Sequence, residues 1–266
     1  MEPARTVAYF IVLVLLFLGH GPKKAVAVPP ENPSLNYRVG AGDTLDALAG
    51  AFEVSKEQIK RWNGLSSEEL QKGQDLIIAP PAFARPVRGM RYKVEAGDTL
   101  TGIARRSGLS SIDLICANNL QGDALSPGQE LWIPAVYRGR EDLARNYTGE
   151  EWLLMAKIIR AEAKGEPEDG LVAVGGVVAN RLLNTYFPNT VAGVIFQPGQ
   201  FTPAAGGLNV FPDLPSYIAA KRALNGEDPS RGALYFSNLE KAQQATIEMF
   251  GRLTVTVVIG RHTFAK

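Results

Sequence analysis

Residues 158–181, IIRAEAKGEPEDGLVAVGGVVANR, decide the fold of the C-terminal half of the chain. They predict the end of one helix, a tight turn and a second helix, because Gly165 and Pro167 stop a helix and Pro167 also suits the start of the next one. Each helix carries an apolar stripe at helical spacing, which predicts a buried face. The stripes consist of Trp152, Met155, Ala156, Ile159 and Ala163 in the first helix and of Leu171, Val174, Gly175, Val178 and Leu182 in the second.

Glu162 does not belong to the polar face of the first helix. It follows Ile158 by four residues and Ile159 by three, so it borders the apolar stripe. It also lies in the last turn, where the helix dipole disfavours a carboxylate. Burial and the dipole both raise the pKa of a carboxyl group, which keeps a general acid protonated near neutral pH. The alternative is a solvated glutamate that pairs with Arg160 or Lys164.

The composition is that of an ordinary globular protein. Its 266 residues allow one large domain or two to three small ones, and 45% hydrophobic with 21% charged residues is enough to bury a core. The formal net charge of +1 gives no basic surface for nucleic acid, so we expect no nucleic-acid partner. The single cysteine, Cys116, cannot form an internal disulfide, so the domains must fold on their apolar cores.

Residues 1–27 have the pattern of a signal peptide. Arg5 precedes an apolar run over residues 7–18, and Ala25, Val26 and Ala27 form an A-x-A cleavage site. A run of about a dozen apolar residues is short for a membrane span. An uncleaved anchor is the alternative. Both interpretations predict an exported protein, and cleavage would leave it without a membrane partner.

An internal repeat with a constant offset of 55 residues fills the next section. Each copy predicts strand, helix, helix, strand, with a Gly-Asp-Thr turn in which Asp or Thr can cap the following helix. Residues 80–86, between the copies, are proline-rich and predict a semi-stiff extended linker. The matched positions include Tyr37 and Tyr92, Gly42 and Gly97, Asn63 and Asn118, Gly73 and Gly128, and Ile78 and Ile133.

The phrases YRVGAGDTL and KGQDLIIAP of the first copy, and PGQELWIPA of the second, closely resemble the LysM family. We therefore expect LysM domains at residues 36–81 and 91–135. The resemblance implies binding of N-acetylglucosamine-containing glycans, usually peptidoglycan, in a groove beside the first strand–helix loop. A capping role for the two aspartates and a structural role for Asn63 and Asn118 are the alternatives. The candidate glycan-binding residues are Gly42, Asp43, Thr44, Gly97, Asp98 and Thr99.

The pattern changes from residue 148 to residue 266. After the two helices comes a loop-rich stretch with five prolines over residues 187–215, then a helix over 216–224. Short strand-like runs follow at 233–236 and 254–259. This order predicts an α+β fold: two small βααβ LysM domains, then a mostly helical domain with a small antiparallel sheet.

Several phrases of this last domain resemble the SleB/CwlJ family of cell wall hydrolases, the spore cortex-lytic group that acts in germination. They are RAEAKGE at 160–166, GQF at 199–201, GALYF at 232–236 and the G-x-H-x-F phrase at 260–264. The resemblance implies a lysozyme-like catalytic domain whose site acts on peptidoglycan with Glu162 as the acid. It also implies lytic transglycosylation between N-acetylmuramic acid and N-acetylglucosamine, which needs only one carboxyl group.

A hydrolase of the ordinary kind needs a second carboxylate roughly 5–9.5 Å away. Glu166 is one helical turn further on and can serve in principle, although a role in capping the following helix is favoured. Phe201 and Phe236 give ring contacts or belong to the core. The candidate substrate-binding residues are Glu166, Gln200, Phe201, Tyr235, Asn238 and His262.

Two other functions stay open, an amidase that cuts between muramic acid and L-alanine and a non-catalytic protein that only binds the wall. His262 would be the one histidine left after signal cleavage, and no cysteine and histidine cluster exists, so a zinc site is disfavoured and no cofactor is expected. A metal site of His, Glu and Asp stays open. We expect a secreted monomer at the cell wall or spore cortex.

Overall fold

The computed structural model describes residues 33–85, 87–201 and 208–266. The predicted signal peptide, residues 1–27, lies outside the described residues. Within them, no helix is long and apolar enough to cross a membrane.

Each copy of the repeat folds in the predicted order of strand, helix, helix and strand. The two strands of a copy pair antiparallel and the two helices pack against them. The first copy consists of β1 (Leu35–Arg38), α1 (Leu45–Phe52), α2 (Lys56–Asn63) and β2 (Asp75–Ile78). The second consists of β3 (Gly89–Lys93), α3 (Leu100–Arg106), α4 (Ser111–Asn118) and β4 (Glu130–Pro134).

The central asparagine of each copy joins a helix end to the last strand. The Asn63 amide donates to the carbonyls of Ile59 and Ile77, both at 2.8 Å, and its side-chain oxygen accepts from Ile77 N at 2.7 Å. Asn118 makes the same three bonds, with Leu114 and Trp132. The structural interpretation of both asparagines is therefore confirmed.

The remaining chain is a helical unit with a small antiparallel sheet, as predicted. Its three-stranded sheet places His262–Ala265 between Tyr235–Ser237 and Val255–Ile259. Three of its described helices, Arg140–Asn146, Val191–Ile195 and Gln244–Phe250, were not predicted. The helices are α5 (Arg140–Asn146), α6 (Gly149–Glu162), α7 (Glu168–Leu182), α8 (Val191–Ile195), α9 (Leu214–Leu224) and α10 (Gln244–Phe250). The strands are β5 (Tyr235–Ser237), β6 (Val255–Ile259) and β7 (His262–Ala265).

Helices α6, α7 and α9 pack closely around Gly175. A Cβ atom at this position would lie 2.8 Å from Ala223 Cβ and 3.0 Å from Ile159 Cδ1, so only glycine allows the three helices this separation. The turn between α6 and α7 passes through Gly165, whose φ of +83° is in the left-handed region that favours glycine. The predicted turn and the predicted buried faces are both present.

The segment after the first copy is not the extended linker that its prolines predicted. Pro81–Ala84 form a 3₁₀ helix, and Ala82 is buried. The Phe83 ring lies so close to Gly149 that a Cβ atom there would be 2.1 Å from it. The prediction was wrong because these two apolar side chains gain more from burial against α6 than an extended segment would.

The first LysM domain shares its core with the helical unit. The Phe52 ring lies 5.4 Å from Trp152 on α6 and 5.1 Å from Tyr217 on α9, measured between ring centroids. Tyr37 lies 6.0 Å from Tyr217. In the second copy the position of Phe52 is held by Ser107, so this contact belongs to the first copy alone.

The second LysM domain is attached by a buried carboxylate instead. Asp113, in the first turn of α4, is fully buried and accepts hydrogen bonds from the Asn189 and Thr190 N–H groups at 3.1 and 2.9 Å and from the Thr190 hydroxyl at 2.6 Å. The first copy has Gln58 at the equivalent position. Each domain is therefore docked through a side chain that the repeat does not share.

We expect Phe52→Ala to destabilise the first LysM domain and the helical unit together. A Phe→Ala change in a core costs about 3–5 kcal/mol, and here the cavity would adjoin Trp152 and Tyr217. Thermal unfolding followed by circular dichroism should show one transition at lower temperature. Phe211→Ala, the same change at an exposed ring, should cost about 0.5 kcal/mol or less. A separate early transition, with the main one unmoved, would show that the two parts fold independently.

Candidate active site

Glu162 is the last residue of α6. The helix begins with a capping box between Thr148 and Glu151 and ends where the Ala163 N–H donates to the Ile159 carbonyl at 2.8 Å. Ile158 and Ile159 are fully buried, and the Glu162 side chain is partly buried beside them. It forms no ion pair or hydrogen bond with another described residue.

Burial raises the pKa of Glu162 from 4.5 to about 7, with no opposing partner. The predicted direction and the predicted contribution of burial are confirmed. The alternative pairing with Arg160 is wrong, because the Arg160 guanidinium contacts the Asp213 carboxylate at 2.7 Å. A carboxyl group with this pKa holds its proton for about half of the time near neutral pH, and it can both donate and accept a proton.

Glu166 fixes the loop that follows Glu162. Its two carboxylate oxygens accept from the Arg261 backbone N–H at 2.9 Å and from Arg261 Nε at 2.6 Å, and its side chain is 3% exposed. Gly260, with a φ of +57°, makes room for this carboxylate, since a Cβ atom there would lie 2.1 Å from Glu166 Oε2. These bonds hold the turn between β6 and β7 against the loop that joins α6 to α7.

The structure contradicts the roles predicted for Glu166. Burial raises the pKa of Glu166. The hydrogen bonds from the Arg261 backbone and side chain lower it by more, so the pKa lies below its ordinary value. Both oxygens are occupied and covered, so neither is free for sugar or water. Nor does it cap α7, whose N-cap residue is Pro167 with no side-chain cap.

His262 lies at the start of β7, beside the same turn. Its side chain is buried, and its Nδ1 atom has no hydrogen-bond partner in the part of the chain that the structure describes. Its ring lies 5.2 Å from Phe236 and 6.2 Å from Phe264. Burial lowers the pKa of His262; Glu166 opposes the change and Arg261 adds to it. The imidazole is therefore neutral at physiological pH, and its contact with sugar stays a prediction.

Arg181 was missed by the sequence analysis. It is 4% exposed, and its guanidinium carbon lies 4.9 Å from the Phe187 ring and 5.3 Å from each of the Phe201 and Tyr235 rings. Burial lowers its pKa to about 10, and its Nε donates to the Leu234 carbonyl at 2.7 Å. No motif marks this residue, because its partners come from three separate segments.

Three of the six substrate-binding candidates lie in one aromatic cluster, Phe201, Tyr235 and His262, joined through Phe236 and Arg181. Phe201 is buried and 6.2 Å from Phe236, so it is a core residue and its predicted sugar contact is corrected. Tyr235 is partly exposed at β5.

Apart from Glu166, the two remaining candidates, Gln200 and Asn238, lie in turns. The Gln200 side chain is exposed, and its backbone N–H donates to the Gln197 carbonyl at 3.2 Å. The Asn238 side-chain oxygen accepts from Glu240 N at 3.1 Å. Their predicted roles with substrate stay predictions.

The Gly-Asp-Thr loops of the LysM domains are closed by their aspartates and capped by their threonines. Thr44 and Thr99 accept from the third N–H of the following helices at 3.2 and 3.1 Å. Asp98 accepts from Tyr92 Oη at 2.6 Å and from Glu95 N at 2.9 Å, and Asp43 makes the equivalent bonds in its copy. The expected capping role of the two aspartates is therefore wrong.

The glycan-binding prediction for these loops concerns their backbone as much as their side chains. Gly42 and Gly97 have φ values of +85° and +89°, and a Cβ atom would meet nothing within 4 Å at either. Glycine is thus needed for the turn itself and leaves the loop surface open. Both aspartates are occupied within their loops, and the contact of these loops with glycan stays a prediction.

No group of three or more His, Cys, Asp or Glu side chains lies close enough together to hold a metal ion among residues 33–85, 87–201 and 208–266.

We expect Glu162→Gln to stabilise the fold at high pH only. Because the pKa of Glu162 is raised in the folded state, ionisation costs stability as the pH rises from 4.5 to about 7. Glutamine removes this cost, which we put at about 1–3 kcal/mol since part of the side chain reaches solvent. Urea unfolding at about pH 8 should show the gain, and at about pH 4 it should vanish. Glu57→Gln, at an exposed position, should show no such dependence; equal gains at both pH values for Glu162→Gln would contradict the assignment.

Comparison with known proteins identifies three domains. The model of the Cell Wall Hydrolase family matches residues 165–265, and that of the LysM domain matches residues 37–79 and 92–134. Glu162 lies just ahead of the first of these ranges. The LysM matches fall on the two βααβ units described above.

Two curated relatives are named spore cortex-lytic enzyme. The one from Bacillus subtilis (strain 168) is 39% identical over 138 residues, 50% of this chain and 44% of the relative. The one from Oceanobacillus iheyensis is 39% identical over 126 residues, 47% of this chain and 45% of the relative. The chain thus spans less than half the length of either.

A solved structure, the catalytic domain of the germination-specific lytic transglycosylase SleB from Bacillus anthracis, is 38% identical. The match covers 45% of this chain and 97% of that domain, with a TM-score of 0.42. Residues 165–265 therefore form a cell wall hydrolase domain, and two LysM domains precede it.

Proposed function

We propose that this chain degrades peptidoglycan as a lytic transglycosylase that cleaves the bond between N-acetylmuramic acid and N-acetylglucosamine. The observation that carries the proposal is Glu162, a half-buried carboxyl group with a pKa of about 7 and no neutralising partner among the described residues. The match of residues 165–265 to the Cell Wall Hydrolase family and the relatives named spore cortex-lytic enzyme support the same class of substrate.

In the proposed reaction Glu162 acts twice. The protonated carboxyl group gives its proton to the glycosidic oxygen, the bond from that oxygen to C1 of the muramic acid breaks, and N-acetylglucosamine leaves with a free hydroxyl. The Glu162 carboxylate then takes the proton of the muramic C6 hydroxyl, and O6 bonds to C1. The product is a 1,6-anhydro sugar, no water is consumed, and Glu162 ends protonated as it began.

The state of Glu166 supports a mechanism with one carboxyl group. A two-carboxylate glycosidase needs its second carboxylate free to act as nucleophile or base. Glu166, the candidate for that role, is 3% exposed and holds Arg261 with both oxygens. Transfer to an internal hydroxyl needs no second carboxylate.

We further propose that the LysM domains hold the glycan in a fixed relation to Glu162. In this proposal residues 36–81 and 91–135 are the LysM domains and residues 148–266 are the catalytic domain. The contacts of Phe52 and Asp113 support LysM domains that are docked on the catalytic domain and not flexibly tethered to it. Weak sugar contacts on a rigid frame add through effective concentration without the entropy cost of a flexible linker. A wall-associated, exported monomer, with residues 1–27 as signal peptide, fits this function.

Glu162→Gln tests the proposal directly. Loss of the acid should lower the rate of wall solubilisation about 10²–10⁴-fold, the usual contribution of a general acid. The measurement is the turbidity of purified cortex and vegetative wall suspensions, with Glu57→Gln as the matched control, which should keep the parent rate. A Glu162→Gln protein that clears the suspensions like the parent would remove Glu162 from the reaction.

Products of the parent enzyme separate the competing functions in the same experiment. Mass spectrometry of the digests should find anhydro-muropeptides. Reducing muropeptides with water added would indicate hydrolysis, and free stem peptides would indicate an amidase. A parent that releases nothing from either wall, yet sediments with it, would be a binding protein only.

We expect the rate to fall as the pH rises above about 7. The reaction needs protonated Glu162, whose pKa is about 7, so kcat/KM should drop about tenfold per pH unit on the alkaline side. Buried His262 titrates at lower pH, because burial lowers its pKa, so it does not account for this limb. Initial rates on soluble glycan strands from about pH 5 to about pH 9 give the profile. A flat profile across pH 7 would contradict the role of Glu162 as the acid.

A further inference from the structure

A cavity of about 450 Å³ lies between the second LysM domain and the N-terminal half of α6. Its volume is within the roughly 300–1,000 Å³ of small-molecule sites. It is bordered by Ala117, Asn119 and Trp132 on the LysM side and by Glu150 and Leu154 on α6. The Gly97–Thr99 loop does not line it, so this cavity is separate from the predicted LysM groove.

The two copies of the repeat differ at the residues that form this cavity. Trp132 on β4 corresponds to Ile77 of the first copy, and Ala117 on α4 corresponds to Trp62. In the first copy the Trp62 indole is buried in the core. In the second copy helix α4 has only the methyl group of Ala117 at this position, and the indole of Trp132 lies on strand β4 instead. The exchange creates open space and gives it an aromatic wall.

The Trp132 indole is held in place and has an unused donor. Asn118 binds the Trp132 backbone on both sides, and Gly89 lies against the ring so closely that a Cβ atom there would be 2.6 Å from its Cζ2 atom. The indole Nε1–H is buried and has no partner among the described residues.

The walls of the cavity are also fixed from outside. Asp113 binds the Thr190 backbone and hydroxyl across the interface, and Thr190 lines the cavity. Tyr137 donates to Glu151 at 2.7 Å, which removes that carboxylate from binding. The cavity is therefore formed before any ligand arrives, which lowers the cost of binding.

We propose that this cavity binds one N-acetylated hexosamine unit of a glycan strand. The indole face offers an apolar surface for the sugar ring. Asn119 and Glu150, both exposed, are the partners for ring hydroxyls. Arg88 also lines the cavity but is paired with Asp142 at 2.9 Å, and Glu150 adds a carboxylate, so the lining does not favour an anionic ligand. The choice of glycan rests on the proposed function, since a chain that acts on peptidoglycan meets this sugar in every repeat of the polymer.

The site would hold the strand along the helix that carries the acid. Leu154 borders the cavity and Glu162 ends the same helix, about 12 Å further along its axis at ~1.5 Å per residue. A sugar held at the first position limits the sliding of a strand that reaches the second. The cavity would thus be a third glycan-binding site, in addition to the two predicted LysM grooves.

The test is a titration of the full-chain Glu162→Gln protein, which does not depend on cleavage, with a tetramer of β-1,4-linked N-acetylglucosamine. The chain has three tryptophans, and Trp132→Phe assigns the Trp132 indole N–H signal in ¹H–¹⁵N spectra. We expect this signal to shift on addition of the sugar while those of Trp62 and Trp152 stay.

Ala117→Trp restores the residue of the first copy and fills the cavity, so it should weaken the shift-derived affinity at least tenfold; Ala117→Ser, the matched small change, should keep it within about threefold. The backbone N–H signals of Gly97–Thr99 report groove binding in the same samples and show that Ala117→Trp is folded. An unmoved Trp132 signal at millimolar sugar overturns the proposed site, whether or not the groove signals move. A shift caused by a stem tetrapeptide and not by the sugar overturns the choice of ligand. Neither result touches the cleavage reaction, which the wall digests decide separately.

Discussion

The close packing of α6, α7 and α9 at Gly175 is the constraint on which the rest of the structure depends. No side chain fits there, so the three helix axes are fixed by their backbones and by Ile159 and Ala223. Ile159 lies three residues before Glu162, and its complete burial sets the depth of the last turn of α6. The raised pKa of Glu162 is therefore a property of the helix packing. The carboxyl group needs no neighbouring charge to retain its proton.

The same helix organises the chain beyond its own domain. Its first half faces both LysM domains, through Trp152 toward Phe52 and through Glu150 and Leu154 toward the cavity beside Trp132. Its end carries Glu162, the proposed acid. In the proposed function, a glycan strand bound to either LysM domain is therefore held at a fixed distance from Glu162 by helix α6. LysM domains on flexible linkers would only raise the local concentration of the enzyme at the glycan. Docked LysM domains would in addition fix the position of the glycan relative to Glu162.

Sequence reasoning predicted the parts of the fold that rest on local periodicity. The helices around Gly165, the βααβ order of the repeat and the burial of Glu162 all follow from residues close together in the chain. The Glu166 contact was missed because Arg261 is 95 residues away, and nothing near Glu166 indicates a buried ion pair. The docking of Phe52 was hidden for a different reason, since an apolar residue on a small domain is equally well explained by that domain's own core.

The buried contact of Asp113 has a consequence for how the duplicated segments relate to each other. A carboxylate in one segment and a phenyl ring in the other now serve different surfaces of the same catalytic unit. The copies still share a backbone plan, but they have ceased to be interchangeable parts. If the order of the two copies were reversed, Phe52 and Asp113 would no longer meet their partners, so both attachments to the catalytic unit would be lost.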